Sequence, residues 1–434
     1  MRVVIMAGGR GSRISELFPD IPKPLIPIDG IPVLEREICS LVSQGFTDIV
    51  LTVSYLHEKI ERHFGDGSKW GAHIEYFVEE TPLGNAGALF KLNLNEDFLL
   101  LNADAVFDVD FNRMVAFHKA HGGLVTLFTH PNSHPYDSGL ILADEQGRVD
   151  KWLAKEDPRL PYYKNRVNAG LHVISPGVLE AVDASRVGQR DESGKAIKID
   201  LDRQLLKPLA GTGQMFCYDS PEYVKDMGTP ERYDAVVADF RKGTVQAKNL
   251  RNKQKAVFLD RDGTLNKYVG FLRSVDDFEL IDGVAEAIKR INASGYLAIV
   301  VTNQPVIARG EVTVHQLQEI HNKMETLLGL EGSYLDAIYY CPHHPHKGYA
   351  GEIPEFKIEC DCRKPRPGML MKAAEDFNID LSQSYMIGDS ENDVKAGLAA
   401  GCKTVLLSEP QSDSDFGQEC TLTSLLEFTE LYLQ

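Results

Sequence analysis

Two α/β domains joined by a short polar segment are the fold class that this sequence predicts, and three observations carry it. The chain has 434 residues, more than one hydrophobic core usually covers, with 43% hydrophobic and 25% charged residues, an ordinary globular balance. Short apolar runs such as Asp48–Ser54 alternate with amphipathic stretches such as Val33–Gln44 and Phe111–His121, the layering of strands covered by helices. Polar and glycine-rich motifs sit where such runs end, one set before residue 240 and another after residue 255. The stretch between them is basic, polar and poor in apolar periodicity. The expected division is therefore 1–240, a linker at 241–254, and 255–434, with no internal repeat and no low-complexity tract.

The first strand, Val3-Val4-Ile5-Met6-Ala7, runs into Gly8-Gly9-Arg10-Gly11-Ser12-Arg13, and Pro22-Lys23-Pro24-Leu25 follows. Glycines let backbone amides approach a phosphate closely, while Arg13 and Lys23 bring positive charge to it. Further along come Glu79-Glu80-Thr81-Pro82-Leu83-Gly84-Asn85-Ala86-Gly87, then Asp104 after the strand 98–103, Asn168-Ala169-Gly170, and Asp226 in Lys225-Asp226-Met227-Gly228-Thr229-Pro230. Each aspartate taken alone is equally a turn or a helix cap. Taken in order, the set resembles the sugar-1-phosphate nucleotidyltransferase family, in its mannose-1-phosphate guanylyltransferase-like branch, whose pattern is Gly-Gly-x-Gly-Thr-Arg followed by Pro-Lys-Pro. Ser12 keeps the hydroxyl of the usual threonine.

That resemblance implies a Rossmann-like domain in which Gly8, Gly9, Gly11, Ser12, Arg13 and Lys23 hold a nucleoside triphosphate. Gly84 and Asn85 would lie on the base, and Asn168 and Gly170 on the sugar. Lys155 falls near the family's sugar-phosphate lysine, although Trp152-Leu153-Ala154-Lys155 lacks the glutamate that usually precedes it. Asp104 and Asp226 would bind magnesium. The chemistry suits these residues, because nucleotidyl transfer brings two polyanions together and needs their repulsion screened, with no covalent intermediate.

In the C-terminal half, Val257-Phe258-Leu259 ends in Asp260-Arg261-Asp262-Gly263-Thr264. Residues i and i+2 leave a strand on the same side, so Asp260 and Asp262 can face one phosphate, the first as nucleophile and the second as general acid and base. An Asp-Gly turn closing a strand is the plainer alternative for the motif alone. Val300-Val301-Thr302-Asn303-Gln304, Cys362-Arg363-Lys364-Pro365 and Met386-Ile387-Gly388-Asp389-Ser390-Glu391-Asn392-Asp393 follow at the ends of further apolar runs. Such strand ends are where open α/β sheets bind ligands.

Residues 255–408 thereby resemble the haloacid-dehalogenase phosphatase superfamily, and most closely its D-glycero-D-manno-heptose 1,7-bisphosphate 7-phosphatase branch. The resemblance implies a second Rossmann-like domain with nucleophile Asp260, acid/base Asp262, and phosphate held by Thr302, Asn303 and Lys364. Magnesium would sit on Asp260, Asp262 and Asp389, with Asp393 in support. Arg363 would lie on the substrate, and Arg309 would anchor the sugar's other phosphate, unless it is a surface arginine. Pro305-Val306 replaces the branch's usual Ser-Gly, which is expected to alter the pocket edge.

Cys341-Pro342-His343-His344 and Cys360-Asp361-Cys362 offer three thiols and an imidazole in two tight pairs, enough for a tetrahedral zinc. Cys341, His343, Cys360 and Cys362 are the expected ligands of a structural zinc, with His344 the alternative to His343. Buried free cysteines are the plain alternative.

A formal net charge of −17 argues against sequence-independent binding to nucleic acid or to an anionic membrane. Seven cysteines, an odd number, suggest a reducing compartment, and no stretch approaches the apolar length of a membrane span or secretory signal. The cytoplasm is the expected location. Together the two resemblances imply a bifunctional enzyme: heptose 1,7-bisphosphate loses its 7-phosphate, and the resulting heptose 1-phosphate is coupled to a nucleotide, GTP being expected. A hexose-1-phosphate guanylyltransferase joined to a histidinol-phosphate-type phosphatase is the alternative, and a catalytically silent half a further one. ATP against GTP, the anomer and the oligomeric state stay open.

Overall fold

The structure, a computed structural model, describes the chain except residues 10–13, 15–16, 104, 410–413 and 434. It divides into two compact units, Met1–His130 with Gly139–Ala154 and Asn168–Asn249, and Leu250–Gln434 with Pro131–Ser138 and Lys155–Val167. Among the described residues no helix is long and apolar enough to cross a membrane.

The first unit is built on a nine-stranded mixed sheet. Val3–Met6 pairs in parallel with Asp48–Val53 and with Phe98–Asn102, and His73–Val78 extends the parallel part. Val167–Ile174 then joins Phe98–Asn102 antiparallel. Both faces are covered, which is why these strands read as continuous apolar runs rather than alternating ones. Val3, Ile5, Leu99 and Leu101 enter one core with Leu34 and Ile38, whereas Val4, Leu100 and Leu127 enter the opposite one. The helices Val33–Ser43 and Phe111–His121 form where the sequence indicates, the second capped by Asp110, whose carboxylate accepts from the amides of Asn112 and Arg113. A separate ribbon pairs Ala105–Asp108 with Tyr223–Asp226, and its register sets Asp226 opposite Ala105.

The segment expected to be a linker is partly packed. After the helix Pro230–Arg241, Thr244–Ala247 makes one more turn whose Val245 is buried with Ile26, Val33 and Val236. The Asn249 amide donates to Asp108 Oδ1 at 2.8 Å, so the first unit continues to Asn249. One valine in an otherwise polar run supplies the anchor.

The second unit carries a six-stranded, all-parallel sheet in the order Ala337–Cys341, Tyr296–Asn303, Lys255–Leu259, Tyr385–Gly388, Lys403–Leu407, Cys420–Leu422. Val257 and Leu259 point into one core and Ala256 and Phe258 into the other. Parallel register aligns Leu259 with Val300 and with Ile387, so three strands end together and present Asp260, Thr302 and Asp389 at one edge. The two excursions from earlier in the chain are bonded into this unit. Arg166 Nη1 lies 3.1 Å from Glu325 Oε1 with side chains 5% and 2% exposed, and the Tyr163 amide donates to Thr326 Oγ1 at 2.9 Å.

Candidate active sites

The second unit gathers a charged cluster at the sheet edge. Asp260 and Lys364 are both buried, and Lys364 Nζ donates to Asp260 Oδ1 at 2.7 Å and also to Asp393 Oδ1. Oxygens of Asp260, Asp389 and Asp393 lie within 4.8 Å of one another. Burial pushes the Asp260 carboxyl up to about 7, with Lys364 opposing the shift and Asp393 adding to it. Burial and Asp393 likewise raise Asp389 to about 6. For Lys364, burial disfavours the charge, but Asp260 and Asp393 more than offset it and the ammonium is stabilised. Three carboxylates around one ammonium leave an excess of negative charge in oxygen donors only, which fits a hard divalent cation. Gly263, at φ +83°, has no room for a side chain, since a β-carbon there would stand 2.0 Å from Asp389 Oδ2.

The side-chain grouping brings together Asp260 and Asp389, expected as ligands, and Asp393, expected in support, while the Asp262 carboxylate is engaged elsewhere. Asp262 instead accepts from Arg261 Nη2 at 2.7 Å, Gln304 Nε2 at 2.9 Å and Asn266 Nδ2 at 3.2 Å. Thr302 is buried with its hydroxyl oxygen 2.9 Å from Gln304 Nε2. Asn303 uses both ends of its amide on the Lys364 backbone, donating to the carbonyl and accepting from the amide at 3.0 Å each. It clasps the Lys364 loop. Gln304, Asn266 and Arg261 escaped the sequence analysis, although Gln304 stands two positions after Thr302 on the same side.

Beside this cluster Cys341, His343, Cys360 and Cys362 converge. Their Sγ–Sγ separations are 3.2–3.5 Å, and His343 Nδ1 lies 3.3 Å from Cys362 Sγ and 3.8 Å from Cys341 Sγ. A zinc tetrahedron with bonds near 2.3 Å has edges of roughly 3.8 Å, so the four groups are close to that geometry. The hydrogen bond that Cys341 and Cys362 share pulls the Cys362 thiol down to about 5 and pushes that of Cys341 up, so the thiols divide one proton load unequally. His344 is turned elsewhere, with Nε2 3.5 Å from Arg309 Nη2. Arg363, next to the last cysteine, donates to the His343 carbonyl at 3.2 Å.

Arg309 is not a surface arginine. It is 9% exposed and lies between two rings, its Cζ 4.1 Å from the Phe271 centroid and 4.6 Å from that of Tyr349. Its Nε has no hydrogen-bond partner among the described residues, and Lys357 Nζ, 4.7 Å over Tyr349, has only the ion pair with Glu352 at 3.5 Å. Pro305-Val306, expected at a pocket edge, lies in a small buried core. Pro305–Ala308 is a short buried helix and Val306 packs with Ile307, Val312 and Leu317, so the extra bulk is absorbed in a small core.

In the first unit Gly8 and Gly9 follow the central strand, but Gly11, Ser12, Arg13 and Asp104 lie outside the described residues. Lys23 is buried with Nζ 3.5 Å from Asp226 Oδ1, and Arg232 bonds the other Asp226 oxygen. Asp226 thus already draws cations. Gly84 and Asn85 have packing reasons for their identity: a β-carbon on Gly84 would stand 2.3 Å from the Ile199 carbonyl oxygen, and Asn85 Oδ1 accepts from the Leu201 amide at 2.7 Å. They hold the 79–87 loop against residues 199–201. Asn168 Oδ1 accepts from the Gly170 amide at 3.3 Å, and Gly170, at φ +76°, closes on Asn102. Lys155 falls in the second unit.

Comparison with known proteins also separates an N-terminal from a C-terminal half, with 131–138 and 155–167 inside the N-terminal match. Residues 2–242 match the nucleotidyl transferase family model, and residues 361–419 the HAD-hydrolase-like model. A stretch of 155 residues, 36% of this chain, is 48% identical to the D-glycero-beta-D-manno-heptose-1,7-bisphosphate 7-phosphatase of Haemophilus ducreyi and covers 82% of that protein. The Escherichia coli K12 protein of the same name is 45% identical over 152 residues, 35% of this chain and 78% of its own length. Among solved structures, HddC from Yersinia pseudotuberculosis aligns with 55% of this chain and 99% of its own at 22% identity, with a TM-score of 0.45.

Proposed function

The chain belongs to the nucleotidyl transferase family in its N-terminal half and to the heptose-1,7-bisphosphate 7-phosphatase family in its C-terminal half, and from that premise we propose that it makes a nucleotide-activated heptose in two steps. The observation that carries the reading is chemical. Removing the 7-phosphate of a heptose 1,7-bisphosphate leaves a sugar 1-phosphate, the class of acceptor that a sugar nucleotidyltransferase consumes. The relatives are named for the β anomer.

In the first half-reaction an Asp260 oxygen bonds to the 7-phosphorus while the bond to the sugar oxygen breaks, and Asp262 gives that oxygen a proton. Water then bonds to phosphorus, Asp262 takes its proton, and the bond to Asp260 breaks to release phosphate. Lys364 and Thr302 hold the transferred oxygens, and Asn303 keeps the Lys364 loop in register with Thr302. Asp260, Asp389 and Asp393 would hold magnesium, which supplies charge neutralisation at the phosphoryl group. Cys341, His343, Cys360 and Cys362 would hold a structural zinc, which braces the loop bearing Arg363 and Lys364. Arg309 and Arg363 face the substrate's remaining phosphate.

In the transferase, Gly8, Gly9, Gly11, Ser12, Arg13 and Lys23 bind a triphosphate, GTP by the resemblance of the 79–87 loop. Asp104 and Asp226 would hold magnesium, which screens the approach of the two polyanions. The pyrophosphate leaves as the sugar phosphate oxygen bonds to the α-phosphorus.

The test is turnover of the full chain with each anomer of the bisphosphate and each nucleoside triphosphate, read by mass spectrometry. GDP-heptose, phosphate and pyrophosphate are the products expected. Preference for histidinol phosphate over every heptose phosphate would contradict the reading.

A further inference from the structure

We propose that Arg261 is a positioning residue of the phosphatase, holding Asp262 in the one orientation from which it serves the leaving oxygen of a sugar phosphate. The inference rests on the phosphatase reading above.

The strand Lys255–Leu259 ends just before Asp260, and the chain turns at once, the amides of Thr264, Leu265 and Asn266 all donating to the Arg261 carbonyl, so residue 261 is carried inward by the turn. Arg261 is accordingly fully buried. A buried guanidinium is tolerated only when paired and hydrogen-bonded, and this one is. Its Nη2 lies 2.7 Å from Asp262 Oδ2 and 2.9 Å from Oδ1, with Nε 3.2 Å from Oδ1. Nη2 also donates to Gln304 Oε1 at 3.1 Å, and Nη1 faces His321 Nε2 at 3.3 Å. His321, on the helix Val314–Leu330, is kept neutral because burial and the adjacent guanidinium both disfavour its charge, so Nε2 accepts.

Asp262 is therefore held from behind. Gln304 and Asn266 add their amides to the same carboxylate, and Gln304 Nε2 is shared with Thr302 Oγ1. One network thus ties the acid/base to the threonine on the phosphate. It also keeps Asp262 out of the carboxylate group formed by Asp260, Asp389 and Asp393. A fixed orientation matters in proportion to how badly the leaving oxygen needs a proton. A sugar alkoxide cannot depart without one, whereas p-nitrophenolate can. Loss of Arg261 should therefore penalise a sugar phosphate far more than an aryl phosphate, a signature that general loosening of the fold would not give.

The experiment compares Arg261→Met with the parent full chain on heptose 1,7-bisphosphate and on p-nitrophenyl phosphate, following the first turnover. The loss on the sugar phosphate is expected to exceed the loss on the aryl phosphate by about a hundredfold, with partial recovery in Arg261→Lys. Equal losses on both substrates would overturn the proposal. If Arg261→Met does not unfold cooperatively, His321→Leu, which removes the acceptor behind Nη1, takes its place and should shift the same ratio by about tenfold. An unchanged ratio there overturns the proposal too. Should the parent hydrolyse the aryl ester but no heptose phosphate, the substrate reading fails, and glycerol phosphate replaces the sugar in the same comparison.

Discussion

Lys364 Nζ sits 2.7 Å from Asp260 Oδ1 across 104 residues of sequence, so an ammonium faces the buried carboxylate proposed as the nucleophile. The pair explains how a carboxylate can stay available for attack inside a protein. Burial alone would keep Asp260 protonated, and Lys364 opposes that shift. Lys364→Met should therefore lower the phosphatase kcat by about 10²–10³-fold while nucleotidyl transfer to heptose 1-phosphate continues, as separate phosphate and pyrophosphate assays would record.

The raised carboxyls fix the sign of a pH dependence. A carboxyl whose folded value lies above its unfolded value near 4 favours folding while protonated, and that contribution is lost as pH climbs to the folded value. With Asp260 at about 7 and Asp389 at about 6, the metal-free second unit should lose stability between pH 4 and 7. Magnesium should bind progressively better across the upper part of that range, because it replaces those protons. Thermal melts with and without magnesium at a series of pH values check this; a magnesium shift that shrinks as pH rises would contradict it.

For the cysteine cluster, the expectation concerns metal content and folding together. Purified protein should carry zinc at about one per chain, and Cys360→Ser should remove it, lower the melting point of the second unit and reduce phosphate release. Elemental analysis of the parent decides the first point.

Arg309, proposed to anchor the substrate's other phosphate, is stacked between Phe271 and Tyr349 with an unsatisfied Nε. Arg309→Met should raise KM for the bisphosphate by about 10–100-fold and change turnover of a monophosphate ester little, the size of a lost charged hydrogen bond. Steady-state kinetics on both substrates separates this from a general defect.

The excursions 131–138 and 155–167 bear on how the chain divides. Glu325→Ala removes the carboxylate beside buried Arg166 and should cost the second unit about 3–5 kcal/mol in denaturant unfolding. We propose the domain boundary near residue 250, so a fragment beginning there should fold and hydrolyse the phosphate ester but lack Tyr163 and Arg166, and melt below the full chain.

What was legible in the sequence were groups placed by short-range rules. Asp260, Thr302 and Asp389 end parallel strands, and the cysteine pairs declare themselves by spacing. Nothing local shows that residue 261 turns inward, or that its guanidinium returns to Asp262 and meets His321, which comes from a distant helix. The same holds for Gly84 and Asn85, whose partners at 199–201 are more than a hundred residues away. Val245 stood in a polar run and Val306 in a motif context, and periodicity could not tell that each fills a core. The membership of 155–167 in the second unit left no trace in composition, because contacts such as the buried Arg166–Glu325 pair join residues far apart in sequence.

The central claim, that one half's product is the other's substrate, is tested most directly by Asp260→Asn in the full chain. The substitution keeps size but removes the attacking charge, so no aspartyl-phosphate forms. Given heptose 1,7-bisphosphate and GTP, the variant should make almost no GDP-heptose, yet it should match the parent when supplied with heptose 1-phosphate and GTP. GDP-heptose formed from the bisphosphate at the parent rate, or no product from heptose 1-phosphate in either protein, would contradict the account.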